Sequence, residues 1–202
     1  MDMLKRKITS QANFRNADIL IALKIIEQEE NIGRKLLSNR IFLNEASIRS
    51  ILTKLKDSDY ISSSRLGHKL TTKGKHFLDK SLQFEVPQKI NAKELTLNDQ
   101  NYGSIFKNAS SKIKDGMDQR DSAVFGGARS AITLIFQDNH FTLPETKPEI
   151  KIPTIKLNLS KELETELHNK FAPKNYDIVI ISSAEDNERA FRGLVHVIDS
   201  FI

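Results

Sequence analysis

Between residues 16 and 82 a helical apolar rhythm runs through three successive segments, gives way once to a β-type excursion, and then resumes. Few folds accommodate that order. Ile19, Leu20, Leu23, Ile25 and Ile26 recur with the 3.6-residue period and predict a first helix, with Asn16 as its N-cap. Gly33 to Asn39 predicts a short second helix, and Ile41-Phe42-Leu43 an apolar turn after it. Asn44 predicts the cap of a third helix. Ile48, Ile51, Leu52 and Leu55 lie on one side of it, with Glu45, Ser47, Arg49, Ser50, Thr53, Lys54 and Lys56 on the other. Tyr60 to Ser64, a tip at Arg65-Leu66-Gly67, and His68-Lys69-Leu70 predict a β-hairpin. Thr71 or Thr72 then starts a fourth helix that ends near Leu82.

Three helices, a hairpin and a fourth helix within 67 residues predict a winged helix-turn-helix, assigned to an N-terminal domain of residues 1–85. In that arrangement the short second helix crosses the DNA backbone and braces the third, which turns its polar side to base edges in the major groove. The hairpin, or wing, reaches an adjacent phosphate or the minor groove. Charge agrees. The net charge is +5, yet residues 34–80 hold 11 basic and 4 acidic side chains. A positive field concentrated in this way suits phosphate binding, because counterion release drives the affinity.

The candidate DNA contacts are Arg34 and Lys35 at the start of helix 2, and Asn44, Ser47, Arg49, Ser50, Thr53 and Lys54 on helix 3. Arg65, His68 and Lys69 on the hairpin complete the set. Arg49 has the chemistry to fork onto guanine O6 and N7. Each has a competing structural role. Arg49 is four residues from Glu45 and within reach of an ion pair. Arg34 is available to an acidic residue of helix 1, Asn44 serves as a cap, and His68 suits a packed surface imidazole.

Ile32-Gly33-Arg34, Leu37-Ser38, Leu43, Glu45, Ile48-Arg49, Leu52, Leu55, Gly67-His68 and Leu70-Thr71-Thr72-Lys73-Gly74 resemble a family of archaeal winged helix-turn-helix transcriptional regulators. The Leu-Thr-x-x-Gly element recurs across many winged-helix regulators, including the multiple-antibiotic-resistance type. Arg120-Asp121, Gly127-Ala128, Pro144, Asp177, Ala184-Glu185-Asp186 and Gly193 resemble the uncharacterised C-terminal domain paired with this winged helix in archaea. The resemblance implies a DNA-binding transcriptional regulator. Helix 3 starts Asn44-Glu45-Ala46-Ser47, unlike the family's usual small residues and Thr, so no base preference carries over.

A composition change near Phe84-Glu85-Val86-Pro87-Gln88 marks a second domain, residues 90–202, of α+β or α/β class. Strands are expected at 104–108, 131–137, 140–143, 154–159 and 177–182, with Gln137-Asp138-Asn139-His140 as a hairpin turn. Helices are expected at 118–129, 160–171 and 185–199, and Pro144, Pro148 and Pro153 suggest an extended loop. Ser160 is the expected cap of one helix. Ser183, with Asp186 three residues on, forms a capping-box-like start for another.

This domain is expected to sense a small-molecule effector or to join two copies into a homodimer, since one recognition helix covers a half-site. Arg120 and Asp121, and Ser182 and Ser183 before a helix N-terminus, are the candidate ligand contacts. No His-x-x-x-His pattern, phosphate loop or dinucleotide glycine fingerprint is present, so no enzyme, catalytic residue, cofactor or metal is expected. Two alternatives stand beside the regulator. One is an enzyme with an accessory winged helix in a riboflavin-kinase-like layout, with small-molecule kinase or transferase activity in the second domain. The other is a winged helix used for protein contact. The charged N-terminus has no apolar stretch after it and the chain has no Cys, so a cytoplasmic protein with no membrane span is the expectation.

Overall fold

A computed structural model describes residues 14–96, 98–144 and 157–202. The chain divides into two compact units, the first ending at Leu82 and the second running from Gln83 to Phe201.

The N-terminal unit contains α1 (Asn16–Glu29), α2 (Arg34–Ile41), α3 (Glu45–Asp57), a hairpin of β1 (Ile61–Ser64) and β2 (Gly67–Leu70), and α4 (Thr72–Asp79). Nine of the fourteen α1 residues are buried, which makes α1 the central helix of the unit. It packs against α2, α3, α4 and β2. Its cap is Arg15, not the expected Asn16, and the Arg15 N–H donates to the Asp18 carboxylate at 2.7 Å. The α2–α3 turn is three residues long. Phe42 takes the left-handed conformation (φ 56°), and its N–H and that of Leu43 both return to the Ser38 carbonyl.

The hairpin pairs Ile61 with Leu70 through Ser64 with Gly67. The α1–α2 linker adds a short pairing to β2 that the sequence does not announce. Ile32 N donates to His68 O at 3.2 Å, and His68 N to Ile32 O at 3.0 Å. Gly67 (φ 132°) permits this approach, because a Cβ there would lie 2.8 Å from the Ile32 carbonyl oxygen. The Leu-Thr-Thr-Lys-Gly run has an equally physical origin. Thr71 caps α4 by accepting from Gly74 N at 3.0 Å, and its hydroxyl donates to Asp59 O at 2.6 Å. A Cβ on Gly74 would stand 2.1 Å from the Tyr60 carbonyl oxygen.

The second unit is a five-stranded sheet of order β3-β4-β7-β5-β6, antiparallel throughout. Its strands are β3 (Gln88–Ile90), β4 (Gln100–Phe106), β5 (Ser130–Gln137), β6 (His140–Thr142) and β7 (Ile178–Ala184). Its helices are α5 (Met117–Phe125), α6 (Lys161–Phe171) and α7 (Asn187–Ser200). Of the two expected classes this is α+β, since no parallel pair occurs among the described residues. Central β7 is buried at every position, so both faces of the sheet are covered. Leu163, Leu167 and Phe171 of α6 pack with Ile105, Leu134, Phe136, Val179 and Ile181 on one face. On the other, Tyr102 meets Phe191 edge-on at 5.6 Å, and a Cβ on Gly193 would stand 2.5 Å from Ser182 Oγ.

Several boundaries differ from expectation. β4 starts at Gln100, β3 lies where no strand is expected, and α5 ends at Phe125, ahead of Gly127 (φ 102°). Residues 157–159 are not a strand, although Leu157 N donates to Phe141 O; 145–156, with most of the proline-marked loop, lie outside the described residues. The β5–β6 turn is the expected one, with Asp138 and Asn139 both at positive φ. Among the described residues no helix is long and apolar enough to cross a membrane.

Candidate nucleic-acid interface

The amphipathic pattern of α3 divides its surface. Ile48, Ile51, Leu52 and Leu55 are buried, while Glu45, Ala46, Arg49, Ser50, Thr53, Lys54, Lys56 and Asp57 are exposed. Asn44 caps the helix, its Oδ1 accepting from Ser47 N at 2.8 Å. Ser47 does not belong to the exposed side. Only 6% of it is accessible, because it lies four residues before Ile51 on the buried stripe, so the expected DNA contact from Ser47 is not available. Ser50 donates back to Ala46 O at 3.2 Å and stays exposed.

Ion pairing sorts the basic residues. Arg34 Nε meets Glu45 Oε2 at 3.1 Å, so the partner of Arg34 comes from α3 and not from α1. The same pair draws Glu45 away from Arg49, and no ion pair engages Arg49 among the described residues. Arg40 pairs with Glu29 at 2.8 Å. Lys35, Arg65 and Lys69 are exposed and likewise without a carboxylate partner among the described residues. Lys54 Nζ stands 5.1 Å over the Phe14 ring. The missed member is Lys56, exposed on α3 and close enough to His68 to act on its imidazole.

His68 is half-buried on β2, with Nδ1 2.8 Å from Ser63 Oγ. Burial first, and then the charges of Lys56 and Arg34, push its pKa below the ordinary value for histidine. The imidazole is therefore neutral near pH 7. The hairpin tip beyond it is exposed from Ser63 to Leu66.

The second unit treats its candidates differently. Arg120 and Asp121 are exposed neighbours that bond each other, Nε to Oδ1 at 3.1 Å and Nη2 to Oδ1 at 2.9 Å. Ser182 and Ser183 are fully buried inside β7, opposite Tyr102 and Asn101, and no ligand in solvent reaches them there. The strand runs through both, so Ser183 does not begin the next helix. Asp186 caps α7, accepting from Arg189 N at 2.8 Å. Glu185 bonds Arg129 and lies 3.7 Å from Arg189. Carboxylates thus fill the helix terminus expected to take an anion. Gly126 is a close-packing position, where a Cβ would stand 2.8 Å from Arg192 O. Among the described residues no three His, Cys, Asp or Glu side chains are grouped to hold a metal ion.

Comparison with known proteins adds a family and no activity. Residues 97–200 match the domain of unknown function DUF4443, and residues 17–76 match the PH0730-like N-terminal domain. The solved structure of the hypothetical protein PH0730 from Pyrococcus horikoshii OT3 is 30% identical, over 92% of this chain and 91% of that one, with a TM-score of 0.70. No curated protein matches.

Proposed function

Because this chain belongs to the DUF4443 family, whose name carries no activity, we propose its function from the residues themselves: a transcriptional regulator whose N-terminal unit is a winged helix-turn-helix that binds double-stranded DNA. One observation carries the reading. α3 presents a continuous exposed stripe at residues 45, 46, 49, 50, 53 and 54, polar but for Ala46, with Glu45 held by Arg34 and Arg49 left to point a guanidinium outward. A stripe of that width suits the major groove, and Arg49 suits a guanine edge.

Around it the remaining candidates take positioning roles. Lys35, Lys54, Arg65 and Lys69 supply charge to phosphates, Thr53 and Ser50 supply short hydroxyls, and Asn44 fixes the helix start. The neutral His68 ties the two hairpin strands together through Ser63 and gives no fixed charge. The C-terminal unit serves dimerisation or effector sensing in this account, since a symmetric site needs two recognition helices about 34 Å apart. The test is a titration of labelled duplex DNA with the full chain at several salt concentrations. Affinity that falls steeply with salt supports the reading, and failure to bind any duplex ends it.

A further inference from the structure

The hairpin tip carries one residue whose chemistry the phosphate contacts do not explain. Leu66 is 80% exposed, at the end of a hairpin otherwise lined by Ser62, Ser63, Ser64, Arg65 and Lys69. It contributes little to packing where it stands. A leucine gains nothing from a phosphate, so a merely electrostatic wing has no use for it.

The tip is also built to hold the Leu66 backbone in place. Ser64 Oγ accepts the Leu66 N–H at 3.1 Å and donates to Gly67 O at 3.4 Å. Behind it, the two bonds between His68 and Ile32 tie β2 to the body of the unit, with the Gly67 backbone against Ile32. A backbone already fixed needs no further ordering when its side chain is inserted elsewhere, which leaves only the side chain's own rotamers to be restricted. The adjacent Arg65 supplies a cation that can rest on the phosphates flanking such a point.

We propose that Leu66 is a minor-groove wedge: with Arg65 anchored on the backbone, it enters the groove beside the α3 contact and opens a base step, so that this protein bends its DNA. This rests on the DNA-binding reading above. Apolar side chains unstack and kink a duplex when inserted from the minor groove. Pyrimidine–purine steps open most easily, so the wedge selects TA or CA/TG steps at the hairpin's position without a hydrogen bond to either base. Leu66 is thus a specificity-determining residue that acts through deformability, separate from the base reading assigned to Arg49.

The experiment selects bound duplexes from a randomised pool with the full wild-type chain and with Leu66→Ala in parallel. It then measures the bend of a selected duplex by energy transfer between dyes at its ends. Wild type should enrich a flexible step at a fixed distance from the α3 core sequence and should shorten the end-to-end distance. Leu66→Ala should keep the core sequence, lose the step preference, relax the bend and weaken the selected duplex about tenfold. Arg65→Ala should weaken binding while keeping the step preference. Retention of both step and bend by Leu66→Ala overturns the wedge while leaving DNA binding intact. If neither wild type nor variant enriches any duplex, the DNA-binding reading itself falls, and the wedge with it.

Discussion

Replacing Gly74 with Ala asks whether the first turn of α4 is as tightly pressed as the structure has it. The new methyl carbon would stand 2.1 Å from the Tyr60 carbonyl oxygen and 3.3 Å from Leu70 Cδ2. The nearer neighbour is backbone, so no side-chain rotation relieves the clash, and α4 must move by about 1 Å to restore ordinary contact. That shift pulls on the Tyr60 carbonyl's bond from Thr71 N (3.0 Å) and on the Thr71 cap to Gly74 N. Overpacking of this kind costs about 1–3 kcal/mol, and loss of a cap about 1 kcal/mol more. The better helix propensity of Ala returns about 1 kcal/mol, which leaves a net loss of about 1–3 kcal/mol. In a unit of this size that lowers the melting temperature by about 5–20 °C. Urea unfolding followed by circular dichroism measures the loss, with amide exchange in α4 assigning it to this unit. Gly33→Ala is the control, since no atom lies within 4 Å of its added Cβ and its φ of −83° is ordinary. A Gly74→Ala protein within about 0.5 kcal/mol of wild type, the range of an innocuous surface change, would refute the close approach.

Arg49→Ala should relax discrimination at one base position by about 5- to 150-fold, the equivalent of 1–3 kcal/mol, while Arg65→Ala should weaken all duplexes alike and reduce the salt slope by about 1. Parallel selection and salt titration of the two variants separate these effects, and indistinguishable behaviour would sink the placement of α3 in the groove. His68 sets a pH dependence. Its folded pKa lies below the unfolded value of about 6.5, so the unfolded chain takes up a proton first as pH falls. Stability from the neutral imidazole is fully present above that value and is lost as pH drops through the folded pKa. His68→Gln should flatten this acid-side decline in a pH series of urea midpoints, and an unchanged decline would mean that other groups cause it.

Much of the architecture was legible because it rests on side-chain periodicity. The buried stripe of α3 shows directly in Ile48, Ile51, Leu52 and Leu55, and the β5–β6 turn in Asp138-Asn139. What escaped has physical causes. The Ile32–His68 pairing is made by backbone groups, which leave no residue signature. Ser47 sits in register with the apolar stripe, but its hydroxyl disguises it as part of the polar side. Edge strand β3 spans only Gln88–Ile90 and borders a composition change that reads as a linker. Ser182 and Ser183 follow an apolar run and read as a strand end, yet the strand continues, with Gly193 letting α7 close over Ser182. Among the candidate contacts, exposure follows from helical phase. Which carboxylate each arginine chooses does not, since Arg34 and Glu45 meet only once α2 and α3 have packed.

If the exposed cations of the N-terminal unit meet the phosphates of a duplex, binding must depend on salt. With Arg49 assigned to a base edge, Lys35, Lys54, Lys56, Arg65 and Lys69 are five exposed cations without a carboxylate partner among the described residues. If each displaces one counterion, the logarithm of the binding constant should fall with that of salt concentration at a slope of about −4.5 per bound protomer. Between about 50 and 200 mM salt the affinity for duplex DNA should then drop about 500-fold. A slope near zero, or no duplex binding at the lower concentration, would contradict the account.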